Sequence, residues 1–265
     1  MQPLQDISAH LPPAMMVIFR IGGLTIFGPV LGSKIVPVRM KVMLSFIIGV
    51  AVYPMLSSAA LVGMPAEMNL FQLAPMIILE LLIGLAIGYA ASMPLTAMQT
   101  GGLIMGQQMG LGFARFFNPA IDDEADVLGQ VLFFMALATF LVIGGHEYML
   151  LAVLRSFEHV PLGGFTLDVS LVDLILGLLM ASFEFAMRVA MPLLAIVFIE
   201  SVAMGFISKT VPQLNILSLG FPIRILAGFA IVAFGLAVMH DILLDEFNDT
   251  LTTIFDWIES LGATS

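Results

Sequence analysis

Six long runs of apolar residues, separated by short polar stretches, dominate the pattern of this chain. A helix needs about 20 consecutive apolar residues to cross a lipid bilayer, and we interpret each run as one such helix. The runs cover Leu11–Leu31, Val42–Val62, Leu73–Met93, Val127–Leu154, Val169–Ile207 and Ile225–Leu244. The pattern therefore predicts an all-α membrane protein of about six long, kinked hydrophobic helices arranged in hairpins.

The fifth run is much too long for one perpendicular crossing. As a straight helix it would extend roughly 55 to 60 Å at 1.5 Å per residue, so we expect it to tilt, break or project beyond the bilayer, with a kink at Pro192. After the sixth run, acidic residues alternate with apolar ones from Asp241 onwards. This alternation predicts an amphipathic terminal helix.

The stretch Gln99–Gln130 interrupts the apolar pattern. Glycines recur at every fourth position with methionines between them, at Gly102, Met105, Gly106, Met109 and Gly110. Glycines at this spacing allow close approach of another helix, and irregular backbone at membrane depth is stable only when it is buried in protein or lines a cavity. We therefore expect residues 99–126 to form a central, glycine- and phenylalanine-rich loop of the plug type, inside a single domain that covers residues 1–265.

Composition and charge narrow the classes of function. The chain has 60% hydrophobic and 11% charged residues, a net charge of −10 and no cysteine. Such an apolar composition indicates an integral membrane protein. The negative charge argues against nucleic acid as a partner, and the absence of cysteine excludes thiolate metal sites. No phosphate-binding loop, dinucleotide fingerprint or nucleophile elbow is present, so we expect neither an enzyme nor a bound cofactor.

Basic residues indicate the topology. The densest basic cluster, Lys34, Arg39 and Lys41, follows the first apolar run. By the positive-inside rule this loop is cytoplasmic. Basic residues in the first, third and fifth loops then predict that both termini lie outside the cytoplasm.

Several charged residues lie inside the apolar runs, where they are costly and normally face a partner or a wet cavity. These intramembrane or inter-subunit candidates are Arg20, Glu80, Glu184, Arg188 and Glu200. Arg20 has the alternative of an interfacial position with its head group outside the hydrocarbon. Glu184 and Arg188 have the i, i+4 spacing of a helical ion pair. Glu200 has no local partner and is a candidate contact to another chain.

A lone histidine, His146, follows a glycine pair and precedes Glu147 in the fourth run. It could serve as a proton relay or as a metal ligand. However, no second histidine lies at ligand spacing, and a helix-packing or interfacial role is favoured.

Four sequence segments, and their order along the chain, resemble the FliR and SctT family of type III secretion export-gate proteins. The central segment is QTGGLIMGQQMGLGFARFFNP. The others are Arg20 followed by Pro29, Pro37 and the basic residues Arg39 and Lys41; RSFEHVPLG; and VPQLNILSLGFPIR. The resemblance extends along nearly the whole chain.

This resemblance implies a non-enzymatic component of a bacterial export gate. Members of the family form, with FliP and FliQ proteins and in contact with FlhB, the channel through which unfolded flagellar proteins pass. The flagellar member is favoured over the injectisome one. The resemblance also implies a location in the bacterial inner membrane, in the flagellar basal body, with helices that project toward the periplasm and need not cross the bilayer conventionally.

In the family, the loop that matches Gly110–Pro119 acts as a plug. The resemblance implies three sets of plug residues: Phe113, Phe116 and Phe117 as the seal, Gly110 and Gly112 as hinges, and Met105 and Met109 as softer lining. Flexible glycines and deformable apolar side chains would suit a seal that moves aside. The alternative is that the phenylalanines anchor the loop to neighbouring helices.

The acidic residues after the loop have two interpretations. Carboxylates favour the positive end of a helix, which would begin there; a cation-attracting lining is the alternative. These residues are Asp122, Asp123, Glu124 and Asp126.

A second class of function remains as a rival. In a self-contained secondary transporter, Arg20, Glu80, His146 and Glu200 would line a substrate or proton path. Transporters usually have related halves with matched broken helices, and this sequence shows no convincing internal match. The export gate is therefore the favoured hypothesis.

Overall fold

The computed structural model describes residues 2–33, 35–56, 70–111, 127–166, 169–211 and 216–263, and within these ranges it is helical, without a β-strand. The α-helices are α1 (Gln2–Phe27), α2 (Val38–Val52), α3 (Leu70–Met109), α4 (Val127–Val142), α5 (Gly145–His159), α6 (Val169–Thr210) and α7 (Ile216–Ala263). A 3₁₀ turn, Tyr53–Met55, follows α2. The prediction of an all-α membrane protein is confirmed.

Among the described residues, five helices are long and apolar enough to cross a membrane, or six if α4 and α5 together form one broken span. This agrees with the six predicted runs. Three of the helices exceed one crossing, since α3, α6 and α7 contain 40, 42 and 48 residues. At 1.5 Å per residue they extend roughly 60 to 70 Å. The fifth run is accommodated without a break, because α6 continues through Pro192.

The end of α3 differs from the prediction. Residues from Gln99 to Met109 were expected to be irregular, yet they form the last eleven residues of the helix. Their glycines are used for packing against other helices rather than for a loop. The helix ends at Gly110, whose φ of +82° is a backbone conformation that favours glycine.

The fourth run was expected to be one helix, but it contains two. The axes of α4 and α5 differ by 63°. Gly144 lies at the break with a φ of +73°. Gly145 follows with its backbone against the ring of Phe140, so that no side chain has room there. The glycine pair therefore produces the bend.

The final helix is longer than predicted. It begins at Ile216, before the predicted run Ile225–Leu244, and continues past Pro222. Its C-terminal part has a buried face, at Met239, Leu243, Phe247, Thr250, Ile254, Trp257, Ile258 and Leu261. The acidic residues Asp245, Asp249 and Asp256 are exposed. The predicted amphipathic helix is confirmed and is continuous with the sixth run.

Two compact units make up the chain. The first contains Met1–Met93, Phe140–Leu179 and Asn248–Ser265, and the second contains Pro94–Thr139 and Met180–Phe247. The units alternate along the sequence, and α3, α4, α6 and α7 each contribute to both. Neither unit is a continuous stretch of the chain.

Candidate functional site

The base of the central loop lies in the second unit, where α3 and α4 pack at Gly102. A Cβ atom at this position would lie 2.6 Å from the Cα atom of Gly129 in α4. Two backbones this close leave no space for any side chain. Because α3 ends at Met109 and α4 begins at Val127, the segment 110–126 leaves from and returns to two helices that are in direct contact. The predicted close approach at the glycine repeat is confirmed here.

A neighbouring face of α3 packs closely against α6 at Gly101. A Cβ atom at Gly101 would lie 3.0 Å from the carbonyl oxygen of Ala186 in α6. Met105 and Met109 are fully buried, and Met109 fills the space that a side chain at Gly228 of α7 would need. Both methionines thus pack within the chain at the root of the loop, and their proposed role as channel lining stays a prediction.

Of the predicted hinges and sealing residues, the structure describes only Gly110. Its amide donates a hydrogen bond to the carbonyl oxygen of Gln107 at 3.0 Å, and its positive φ turns the chain out of α3. The remaining residues lie outside the described ranges, and their roles stay predictions: Gly112, Phe113, Phe116 and Phe117, together with the acidic cluster Asp122, Asp123, Glu124 and Asp126.

Gly102→Ala should destabilise the protein, while Gly106→Ala should not. The added methyl at residue 102 would meet the backbone of Gly129, and forcing extra atoms into such a contact costs about 1 to 3 kcal/mol. At Gly106 the nearest atoms would lie 3.8 and 3.9 Å away, an ordinary contact, and alanine also favours the helix. Thermal unfolding in detergent, followed by circular dichroism, measures both. Equal midpoints for the two variants would contradict the close packing of α3 on α4.

A buried ion pair joins α1 to α3 in the first unit. The Nε of Arg20 donates to Oε2 of Glu80, and neither side chain is exposed. Arg20 is therefore neither interfacial nor in contact with lipid. The structure brings these two predicted residues together, 60 positions apart in the sequence.

Glycines allow this pair to form. A Cβ atom at Gly84 would overlap the carbonyl oxygen of Arg20, and one at Gly23 would lie 2.3 Å from the carbonyl oxygen of Leu81. Gly88, one turn further along α3, faces Leu24 in the same way, at 2.9 Å. Sequence reasoning missed this packing, although the signal was present, because glycine follows glutamate at four-residue intervals on one face of α3.

The remaining donors of Arg20 hold α5 and the connection that follows it. Nη1 donates to Oγ of Ser156 at 3.0 Å, and Nη2 donates to the carbonyl oxygen of Val160 at 3.2 Å. The guanidinium carbon also lies 4.2 Å from the ring centroid of Phe157. Ser156 and Phe157 belong to the last turns of α5.

The carboxylate of Glu80 has a second partner. Its Oε1 accepts a hydrogen bond from the backbone amide of Gly163 at 2.8 Å. Gly163 has a φ of +74°, which favours glycine. The ion pair therefore holds α1, α3, α5 and the connection after α5 together. Both charged side chains also bind groups of the chain other than each other.

The other charged candidates also have partners within the chain. Arg188 donates to Glu184 at 2.9 Å, which confirms the predicted i, i+4 pair. The sequence shows no partner for Glu200 at helical spacing, but in the structure its Oε2 accepts a hydrogen bond from Nε of Arg224 at 2.7 Å. The partner lies 24 residues away on α7, so helical spacing within α6 could not reveal it.

His146 is exposed on α5. It borders an apolar cavity of about 230 Å³ in the first unit, together with residues such as Leu24 and Met149. Within the described ranges, no group of three acidic or histidine side chains could hold a metal ion. The cavity offers almost no polar surface, so it does not resemble a proton path.

These features define a class of protein: a helical membrane protein with a fully buried ion pair between two helices and with glycines at the contact of α3 and α4, from which the central loop extends. The chain belongs to the family described as "Bacterial export proteins, family 1", whose sequence model matches residues 11–250.

Named relatives agree with this assignment. The chain is 28% identical over 250 residues to the "Flagellar biosynthetic protein FliR" of Escherichia coli, covering 92% of each chain. It is 24% identical over 257 residues to the protein of the same name from Bacillus subtilis, covering 95% of this chain and 96% of the relative. The "Yop proteins translocation protein T" of Yersinia pestis is 29% identical over 160 residues, covering 60% of this chain and 61% of the relative.

Proposed function

We propose that the protein is a non-enzymatic component of the flagellar type III secretion export gate. In this proposal it forms, with FliP and FliQ proteins and in contact with FlhB, the channel for unfolded flagellar proteins. The gate lies in the bacterial inner membrane at the flagellar basal body and projects toward the periplasm. Segment 110–119 is the plug that seals the idle channel.

The observation that carries the proposal is the match to the bacterial export family over residues 11–250. Relatives named for flagellar biosynthesis cover most of the chain, whereas the Yersinia translocation protein covers 60% of it. This difference in coverage favours the flagellar system over the injectisome.

The geometry at the loop base supports the plug. A seal must move aside for a polypeptide while its two roots stay fixed. The contact of Gly102 with Gly129 holds the roots together, and Met109 is locked against Gly228. In this proposal the plug moves aside while the helix contacts at its base stay in place.

The charge distribution argues against a self-contained transporter. Arg20 and Glu80 bind each other and backbone groups and have no exposed surface. Glu200 pairs with Arg224, and His146 borders an apolar cavity. A path for protons or solutes through the Arg20–Glu80 pair would need these two groups to be accessible, and they are fully buried.

Co-purification tests the proposal. The chain is expressed with FliP and FliQ proteins, extracted in mild detergent and analysed by size-exclusion chromatography with mass spectrometry. The expected result is a single stable complex that contains all three proteins. A stable monomer that transports a solute by itself when reconstituted in liposomes would overturn the proposal and favour the transporter.

A further inference from the structure

A second cavity opens between α6 and α7 in the second unit, around the ion pair of Glu200 and Arg224. Its volume is about 270 Å³. The lining residues are Glu200, Ser201, Met204, Gly205, Gly220 and Phe221, with Arg224. The loop base uses none of them.

One carboxylate oxygen of Glu200 takes no part in the ion pair. Oε2 of Glu200 accepts from Arg224, but Oε1 is buried and has no hydrogen-bond partner in the described part of the chain. Buried acceptors are nearly always paired, and an unpaired one is unfavourable. Within the described part of the chain, Oε1 is therefore a polar atom of this cavity that can accept a hydrogen bond from a donor outside the chain.

Glycines leave space beside this oxygen. A Cβ atom at Gly220 would lie 3.3 Å from Oε1, and one at Gly205 would meet nothing within 4 Å. Glycine inside a helix costs stability relative to alanine, and the chain gains no close contact at Gly205 in return. The open space thus admits a group that approaches Glu200 from outside.

The charge of the pair determines which donor fits. Arg224 also donates to Oγ of Ser201 at 2.8 Å, and with Glu200 it forms a neutral unit. A lysine or arginine entering the cavity would bring an uncompensated charge into apolar surroundings, which is costly. A neutral hydroxyl or amide satisfies Oε1 without that cost, and such side chains commonly bond across membrane helices.

The surroundings of the cavity suit a helix rather than a polar solute. Large apolar side chains are exposed on the same stretches of the two helices, at Phe198, Ile199, Val202 and Phe206 of α6 and at Leu226 and Phe229 of α7. Such a surface needs either lipid or the apolar face of a protein helix against it. Only a helix can also deliver a hydrogen-bond donor at a fixed position.

We propose that this cavity is a docking site for a helix of a neighbouring membrane subunit. A serine, threonine, asparagine or glutamine of that helix donates a hydrogen bond to Oε1 of Glu200. The inference rests on the proposed function in one respect, namely that the chain works beside other membrane subunits.

Two variants of one residue test the site. Gly205→Leu fills the cavity, whereas Gly205→Ala adds a methyl that has room. We expect Gly205→Leu to lower the co-purified partner subunit roughly tenfold, the effect of steric overpacking at a contact, and Gly205→Ala to change it little. The thermal midpoint of the isolated chain should be the same for both. Full recovery of the partner with Gly205→Leu would overturn the docking site.

Photo-cross-linking identifies which partner residues lie at the cavity. With p-benzoylphenylalanine in place of Phe206, an exposed residue next to Gly205, we expect a photoadduct on a partner helix, within one turn of a serine, threonine, asparagine or glutamine. Adducts only to lipid, adducts to a helix without such a residue, or no adduct would each overturn the inference. If the unmodified chain co-purifies while these tests fail, only the docking site is wrong; if it does not co-purify, the proposed function fails as well.

Discussion

Glu80→Leu should destabilise the first unit by about 3 to 5 kcal/mol, the usual cost of leaving a buried charge without its partner. Arg20 would remain fully buried, and the amide of Gly163 would lose its acceptor. The effect can be followed by denaturant unfolding in detergent. Trp257 is the single tryptophan of the sequence and lies in the same unit, so its fluorescence reports the unfolding directly.

Two further variants serve as controls for this result. Glu158→Gln removes an exposed glutamate from the same unit and should leave the unfolding free energy within about 0.5 kcal/mol of the parent value. Arg20→Leu combined with Glu80→Leu should cost less than the sum of the two single changes, because no unpaired charge remains. Strict additivity, or a Glu80→Leu variant as stable as Glu158→Gln, would show that the ion pair does not hold this unit together.

The fold class could be predicted from the sequence, because six apolar runs of bilayer length allow few interpretations other than an all-α membrane protein. The sequence was also sufficient for two local features, the i, i+4 pair of Glu184 with Arg188 and the amphipathic end of α7. Both follow from helical periodicity alone. Features that depend on neighbours close in the chain are predictable in this way.

Features that depend on distant neighbours were not predictable from the pattern. Arg20 and Glu80 were both recognised as buried charges, but nothing local shows that they pair with each other. The same holds for Glu200 and Arg224. A search for small residues beside each charge would have helped, because Gly23 lies three residues after Arg20 and Gly84 lies four residues after Glu80, on the same helix faces.

The glycine repeat illustrates a different error. The glycines between Gln99 and Met109 were expected to allow close approach of another helix and also to belong to an irregular loop. The first expectation is confirmed at Gly101 and Gly102, but the second is wrong, because these residues are helical. Only at Gly110 does the backbone need the conformation that glycine favours. The connection between α3 and α4 therefore starts eleven residues later than the composition suggested.

A second large effect, on ion conductance, is expected when the loop itself is replaced. Replacing residues 110–119 by a glycine–serine segment of equal length should make the assembled gate conduct small ions. The replacement removes Phe113, Phe116 and Phe117 together with the proposed hinges, while the loop base is unchanged. Since Gly102, Met109 and Gly129 keep their contacts, the complex should still assemble.

The same loop provides a matched control. Changing Asp122, Asp123, Glu124 and Asp126 to their amides removes four charges but no apolar side chain. If these carboxylates serve only the start of α4, the closed gate should remain tight. A change in cation conductance with this variant would instead favour the interpretation of the acidic cluster as a channel lining.

Ion conductance of the reconstituted complex tests the central claim most directly. The parent complex and the 110–119 replacement are purified with FliP and FliQ proteins, verified by size-exclusion chromatography and inserted into planar bilayers. The account predicts a closed parent complex and a conducting variant. A fully assembled variant with the same low conductance as the parent would contradict it.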